Sequence, residues 1–201
     1  LTGMLLCMSA VANAQFKYGL KAGLNVSRIH HKSRWDERVF SFMPSAHVGL
    51  YTNMDITQKF FLSSEFLISD KGFKNENSVH LLYASIPVMA NFRISKELAM
   101  GCGPELGILI TPMGKDHEYL KEVYSNRLDV GGAISFQYTI SRSLSLGLRW
   151  VKGFSNIIGK EANIPFYRFD EHTGILLSSD LRTAGFVQKN ESFQLSIGYS
   201  L

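Results

Sequence analysis

Apolar and polar residues alternate with a period of two along eight segments of the chain. Between residues 16 and 27, every second residue from Phe16 to Val26 is apolar, and the residues between them, from Lys17 to Ser27, are polar or small. Such alternation predicts a β-strand with one apolar face. The other seven segments cover about 45–54, 60–69, 81–94, 98–111, 127–140, 143–153 and 192–201.

The apolar faces of these segments carry no charged residue, and the opposite faces are rich in glycine and serine. A soluble barrel fills its interior with bulky apolar side chains, whereas a membrane barrel has an apolar outer face and a polar lumen. An Arg or Lys turned towards lipid at mid-bilayer would cost about 2–4 kcal/mol, which explains its absence there. The charged residues of the opposite faces are Lys17, Lys21, Glu65, Arg93, Glu105, Asp129 and Arg149.

The connections between the segments alternate strictly between short and long. The short ones are 55–59, 95–97 and 141–142, and the long ones are about 28–44, 70–80, 112–126 and 154–191. Outer-membrane barrels have short periplasmic turns and long extracellular loops, and a tilted membrane strand needs about 9–11 residues. The sequence therefore predicts an all-β fold, an eight-stranded antiparallel up-and-down transmembrane β-barrel in a bacterial outer membrane, with both termini in the periplasm.

The first fourteen residues carry no charge and end in Ala12-Asn13-Ala14, a small-x-small pattern typical of signal cleavage. We therefore expect residues 1–14 to be a secretory signal peptide truncated at its start, and residues 15–201 to form the outer-membrane barrel domain. Cys102 is then the remaining cysteine, so no disulfide framework is expected. The formal charge of +4 is dispersed along the chain, which argues against a nucleic-acid partner.

Five short motifs resemble the PorT-type outer-membrane β-barrel family of the Bacteroidota lineage. They are Tyr18–Asn25, Ile86-Pro87-Val88, Gly103–Gly107, Gly153–Ile157 and Leu195–Leu201. The resemblance implies an outer-membrane barrel. The namesake of the family is tied to the type IX secretion and gliding apparatus, so the resemblance also raises a role as a component of such a machine.

The charges of the polar faces are candidates for a coupled network in the lumen, because buried charges must be paired. Eight strands leave an interior that side chains just fill. We therefore expect the network to be a structural plug, with a proton- or ion-conducting path through a small channel as the alternative. A secretory signal, a closed lumen and long loops together favour a barrel whose surface loops serve binding or adhesion.

The long connections hold three groups of histidines and acids, which we expect to be solvated loop residues rather than metal sites. They are His30-His31 with Asp36 and Glu37, Asp116-His117-Glu118, and Asp170-Glu171 with His172. The chain has no Gly-x-Ser-x-Gly elbow, zinc signature or phosphate loop. We therefore expect no catalysis and no cofactor.

The fourth long connection holds apolar groups that are unusual in a disordered loop. These are Ile157-Ile158, Ile164–Tyr167 and Gly174–Leu177. We expect this segment to fold over the barrel mouth or to bind a partner at the cell surface. The expected partners are outer-membrane lipid and a surface or secretion-machinery protein.

Overall fold

The computed structural model describes residues 16–32, 37–74, 78–115, 117–159, 164–169, 176–182 and 187–201. The predicted signal peptide lies outside the described residues. The strands are β1 (Phe16–Lys32), β2 (Glu37–Val39), β3 (Met43–Asp55), β4 (Phe60–Lys74), β5 (Ser78–Arg93), β6 (Leu98–Met113), β7 (Leu128–Thr139), β8 (Leu144–Gly153), β9 (Ile164–Phe169), β10 (Leu176–Arg182) and β11 (Val187–Ser200).

Eight of these strands form one closed antiparallel sheet. The order is β11-β8-β7-β6-β5-β4-β3-β1, and β1 pairs again with β11 from Gly19↔Ser200 to Lys32↔Val187. Closure leaves no strand edge facing lipid, which a spanning sheet requires. The structure thus confirms the predicted eight-stranded antiparallel barrel.

Two smaller sheet elements and one helix lie beyond the eight barrel strands. Strand β2 pairs with the upper part of β1, where His30 faces Val39, and β9 and β10 form a separate antiparallel pair. Helix α1 (His117–Val123) follows β6. Within the described part of the chain, no helix has the length and hydrophobicity of a transmembrane segment.

The barrel has two unlike ends. Short connections at 56–59, 94–97 and 140–143 lie at one end, here called the turn end, together with the start of β1 and the end of β11. The other end, the loop end, carries α1, β2 and the β9–β10 pair. This sorting of connections follows the predicted alternation of short and long.

The predicted long connections were too long, because the strands continue beyond the predicted segments. The largest correction is at 70–80, where β4 runs to Lys74 and β5 starts at Ser78. Likewise β1 extends to Lys32, so that His30 and His31 lie in a strand and not in a loop. In these extensions several inward residues, such as Ile29 and Phe73, are apolar and pack on one another, so the polar-inward alternation of the strands is interrupted there.

The outer surface of the barrel is apolar over most of its height. We call this zone the belt. It carries exposed side chains from all eight barrel strands, including Leu20, Leu24, Leu50, Phe66, Ile86, Leu106, Ile134, Leu148, Leu195 and Ile197. Alternating with them, inward positions hold buried polar residues such as Asn25, Glu65, Asn91, Glu105 and Arg149.

The bore and the mouth of the barrel as a candidate functional site

The turn end of the bore holds an open group of charges around Asp55. Lys17 Nζ lies 3.9 Å from Asp55 Oδ2, and Arg93 pairs with the same carboxylate. A cavity of about 170 Å³ opens beside them. Two residues of the predicted lumen network therefore lie at the rim, away from the three predicted acids. Their partner, Asp55, lies at the end of β3 and was placed in a connection by the sequence pattern.

The middle of the bore holds one carboxylate between two bases. Lys21 Nζ and Arg149 Nη2 each lie 2.5 Å from Glu65 Oε1. The three side chains come from β1, β8 and β4, and all three are largely buried. The alternation of each strand turns them inward, and the small diameter of an eight-stranded barrel brings them together.

A second ion pair lies deeper in the bore and has a member that the sequence did not predict. Lys71 Nζ lies 2.7 Å from Glu105 Oε1, and both side chains are almost completely buried. Lys71 falls in the stretch that was assigned to a connection. The third predicted acid, Asp129, accepts hydrogen bonds from Asn190 Nδ2 at 2.8 Å and Ser155 Oγ at 2.9 Å instead of pairing with a base.

These buried charges balance. Lys21, Lys71 and Arg149 are positive, and Glu65, Glu105 and Asp129 are negative. Neutrality matters because an uncompensated charge inside a low-dielectric bore costs several kcal/mol, on the order of 3–5 kcal/mol when one partner is removed. The arrangement is that of a packed polar interior.

Neutral side chains fill the space around the charges. Asn25 Oδ1 lies 2.7 Å from His47 Nδ1, and Asn25 Nδ2 donates to Ser69 Oγ at 3.1 Å. The Tyr51 hydroxyl lies 2.7 Å from Ser200 Oγ. A Cβ at Gly19 would lie 2.8 Å from the Tyr51 ring, so glycine provides the room for this side chain.

The central cavity that remains is small. It has about 30 Å³ of free volume beside Lys21, Glu65 and Arg149, which is room for about one or two water molecules. The middle of the bore is therefore too narrow for a hydrated solute.

The loop end of the bore is closed by an apolar core, which we call the mouth core. Strand residues contribute Ile29, Phe73, Leu81, Tyr83 and Leu109. Leu120 and Val123 of α1, the following Tyr124, and Ile157 from the chain after β8 complete it.

Polar groups at the border of the mouth core are paired. The Tyr124 hydroxyl donates to Gln188 Oε1 at 3.1 Å, and Asn190 Nδ2 donates to the Tyr83 hydroxyl at 3.2 Å. Burial raises the pKa of Tyr124 well above its ordinary value. The mouth core thus resembles the dry interior of a soluble domain more than a water-filled vestibule.

The fourth long connection supplies part of the mouth core. Ile157 and Ile158 are both buried, and the Ile157 amide donates to the Gln188 carbonyl at 3.0 Å. The connection therefore leaves and re-enters the barrel at neighbouring points. The described backbone of β9 and β10 forms a hairpin between them. The predictions made for the apolar side chains at 164–167 and 174–177 fall outside the part of the structure that is described.

The histidine groups of the long connections do not converge on a metal site in the described part of the chain. His30 Nε2 lies 2.6 Å from Glu191 Oε2, and His117 and Glu118 are exposed in α1. Asp36, Asp116 and the group around His172 lie outside the described residues. Among the described residues no cluster of three or more His, Cys, Asp or Glu side chains is placed to hold a metal ion.

Comparisons with known proteins give one family match. The family model described as outer membrane protein beta-barrel domain matches residues 11–159 of the 201-residue chain. No curated protein matches the chain.

Several solved structures are similar over most of their length. The attachment invasion locus protein Ail of Yersinia pestis is 12% identical, with a TM-score of 0.47 over 93% of this chain and 99% of that one. Neisserial surface protein A is 6% identical, with a TM-score of 0.47 over 93% and 98%. OprG from Pseudomonas aeruginosa is 7% identical, with a TM-score of 0.44 over 92% and 95%.

Proposed function

We propose, on the premise that the chain belongs to the outer membrane protein beta-barrel domain family and resides in the bacterial outer membrane, that it is a non-conducting barrel which anchors a folded binding surface. In this proposal the turn end faces the periplasm and the loop end faces the outside of the cell. The barrel itself performs no transport and no chemistry.

The mouth core is the observation that carries this proposal. Side chains from four strands, from α1 and from the chain after β8 pack together across the bore. A channel would need a polar, hydrated path at this level, whereas these side chains are buried and apolar. Below the mouth core, the paired charges around Glu65 occupy the bore at a second level.

The same core supports a binding role, because it gives the loop end a defined shape. Segments held by a core present a preorganised surface, which lowers the entropic cost of binding. Three apolar side chains remain exposed there, namely Val39, Tyr119 and Phe154. Exposed aromatic residues on a folded surface are typical of contact sites for a macromolecule.

The narrower PorT-type kinship remains a prediction, and a secretion or gliding role rests on that resemblance alone. A small channel is the other alternative, and the closed bore argues against it. The channel alternative predicts single-channel steps in the conductance experiment below, whereas a closed anchor predicts none.

Conductance in planar bilayers tests the closed bore. The purified barrel should give no single-channel steps above the baseline of the lipid, under conditions where a general porin added as a positive control gives clear steps. Reproducible steps from the wild-type chain would contradict the proposal and favour the small channel.

Excision of residues 160–186 tests the binding surface. Because Ile157 and Gln188 are hydrogen-bonded to each other, a short Gly-Ser linker can join Gly159 to Val187 without pulling on the barrel. The variant should keep its heat-modifiable gel mobility but lose the retention of expressing cells on any coated surface to which the wild-type barrel attaches them.

A matched control inserts the same linker into the turn at 56–59, which lies at the opposite end. This insertion should leave both the gel mobility and the retention of cells unchanged. Equal retention by wild type and by the excised variant would show that residues 160–186 are not the binding segment.

A further inference from the structure

The outer face of three neighbouring strands carries a group of bases at the loop end. Lys152 on β8 lies opposite Glu191 on β11, and Glu191 lies opposite Arg28 on β1. One pair further up, Lys189 lies opposite His30. Neighbouring strands are about 5 Å apart and same-face residues about 7 Å apart along a strand. These five side chains therefore form one patch, which we call the β8–β11–β1 patch.

Glu191 organises the patch. Its Oε2 lies 2.6 Å from Arg28 Nε and 2.6 Å from His30 Nε2, and its Oε1 accepts a hydrogen bond from Trp150 Nε1 at 3.0 Å. The carboxylate is almost completely buried beneath these partners. It therefore fixes the bases around it and leaves little of its own charge at the surface.

The Arg28 guanidinium is held in a defined plane, and its two terminal amino groups remain available to bind a ligand. The guanidinium lies over the Phe42 ring, 4.7 Å from the ring centroid, and only its Nε is used by Glu191. The two terminal amino groups donate to no other group of the described residues. A guanidinium fixed in this way is suited to bind a phosphate through two parallel hydrogen bonds.

The patch has an excess of positive charge. Arg28, Lys152 and Lys189 are positive and Glu191 is negative, which leaves +2 when His30 is neutral. Lys152 is exposed and Lys189 is half-buried, and neither forms an ion pair within the described part of the chain. On the other side of the barrel the outer face at the loop end carries the Asp70–His80 pair, in which the two side chains lie 2.7 Å apart.

The patch lies at the height along the barrel where lipid headgroups are expected. The residues directly below it on the same face are Val26, Trp150 and Phe193, and the Trp150 and Phe193 rings stack with centroids 6.4 Å apart. Tryptophan and phenylalanine girdles of barrels lie at the interface between the acyl chains and the headgroups. Bases just above such a girdle lie at the level of the headgroup phosphates.

We propose that the β8–β11–β1 patch binds the phosphomonoester of a lipid headgroup in the leaflet that surrounds the loop end. Arg28 donates its two terminal amino groups to the phosphate, Lys152 and Lys189 supply further positive charge, and Trp150 and Phe193 contact the upper part of the acyl chains. The site depends on the membrane location and not on what the loops bind.

Quenching of Trp150 by brominated lipid tests this site. The chain has two tryptophans, so the Trp35→Phe variant leaves Trp150 as the reporter. The protein is placed in phosphatidylcholine vesicles that contain a minor fraction of either dibrominated phosphatidic acid, which carries a phosphomonoester, or dibrominated phosphatidylcholine. Phosphatidic acid should quench at a clearly lower mole fraction than phosphatidylcholine.

Lys152→Gln and Lys189→Gln are the main variants, because neither lysine has an internal partner whose loss would disturb folding. Each should weaken the preference for phosphatidic acid about fivefold, which corresponds to about 1 kcal/mol per basic residue near a membrane surface. Lys59→Gln at the turn end is the matched control and should leave the preference unchanged. Arg28→Lys keeps the charge but loses the planar fork and should also weaken it.

Equal quenching by the two lipids in the wild type, or a preference that survives both lysine substitutions, would overturn the proposal. Displacement of the brominated phosphatidic acid by millimolar inorganic phosphate would assign the patch to soluble anions and would overturn the lipid assignment as well.

Discussion

The belt and the mouth core share strands β1, β4, β5 and β6 but differ inside, because the interior of the belt is mainly polar with one small apolar cluster, whereas the mouth core is apolar. In the belt, β4 turns Glu65 inward and β6 turns Glu105 inward, while apolar residues face outward. Further along the same strands, Phe73 and Leu109 point into the mouth core. The inward side chains therefore change from polar to apolar at the height where the surroundings of the barrel change from lipid to water.

This difference shows that the surroundings of a barrel decide which residues its interior can use. Inside a lipid belt, apolar side chains gain little by turning inward, because the acyl chains outside are equally apolar. Polar side chains gain much, because lipid offers them no partners. Above the belt the usual hydrophobic effect returns, and the interior is again apolar. Four pairs of substitutions test this contrast.

The largest effect is expected for Glu65→Ala in the belt. The substitution leaves Lys21 and Arg149 buried without their shared counter-charge, so the free energy of unfolding should fall by about 3–5 kcal/mol. Urea titration of the barrel in lipid vesicles, followed by tryptophan fluorescence, measures this change. Glu97→Ala, at the exposed turn 94–97, is the control and should change stability by no more than about 0.5 kcal/mol.

Leu81→Ala in the mouth core should come next, with a loss of about 2–5 kcal/mol, because Leu81 is fully buried and its truncation leaves a cavity. The matched substitution in the belt is Leu50→Ala on the outer face. Lipid can fill the space there, so its cost should be clearly smaller in the same titration. Equal losses at the two leucines would show that the mouth core is not a packed interior.

An arginine on the outer surface should distinguish lipid from water. Leu50→Arg places the charge near mid-belt and should cost about 2–4 kcal/mol. Met113→Arg, at the exposed loop end of β6, should cost no more than about 0.5 kcal/mol. Refolding yields into vesicles and urea midpoints measure both variants, and similar costs at the two positions would contradict the position of the belt.

The smallest effect is expected for Lys17→Gln at the turn end. Lys17 is more than half exposed and lies 3.9 Å from Asp55, so its loss should cost no more than about 1 kcal/mol. Lys21→Gln, four residues along the same face, should cost more because Lys21 is buried against Glu65. If Lys17 proved as important as Lys21, the rim and the bore would form one network, as the sequence pattern alone predicted.

The membrane belt was predictable from the sequence because its pattern is local. Alternation along each strand determines which residues face the bore. Lys21, Glu65, Glu105, Asp129 and Arg149 are buried there, on the faces that the pattern turns inward. The pattern also fixed the strand count and the sorting of the connections, since both depend on segment lengths alone.

The partners in the bore were not predictable, because they depend on register and height across strands. Lys17 and Arg93 share the inward face with Glu65, yet their height places them beside Asp55. Lys71 was missed because the apolar inward residues that follow it, Phe73 and Leu81, disrupt the polar-inward pattern. The β8–β11–β1 patch was missed for a similar reason, since its members come from three strands that are distant in sequence.

The most direct test of the account is the environment of Cys102. This residue lies on the outer face of β6 and is exposed, and in the Cys7→Ser chain it is the single cysteine. A nitroxide label on Cys102, examined by power-saturation electron paramagnetic resonance in vesicles, should collide readily with oxygen dissolved in lipid and poorly with a water-soluble nickel chelate. Ready collision with the nickel chelate would place the outer face of the barrel in water and would contradict the membrane belt.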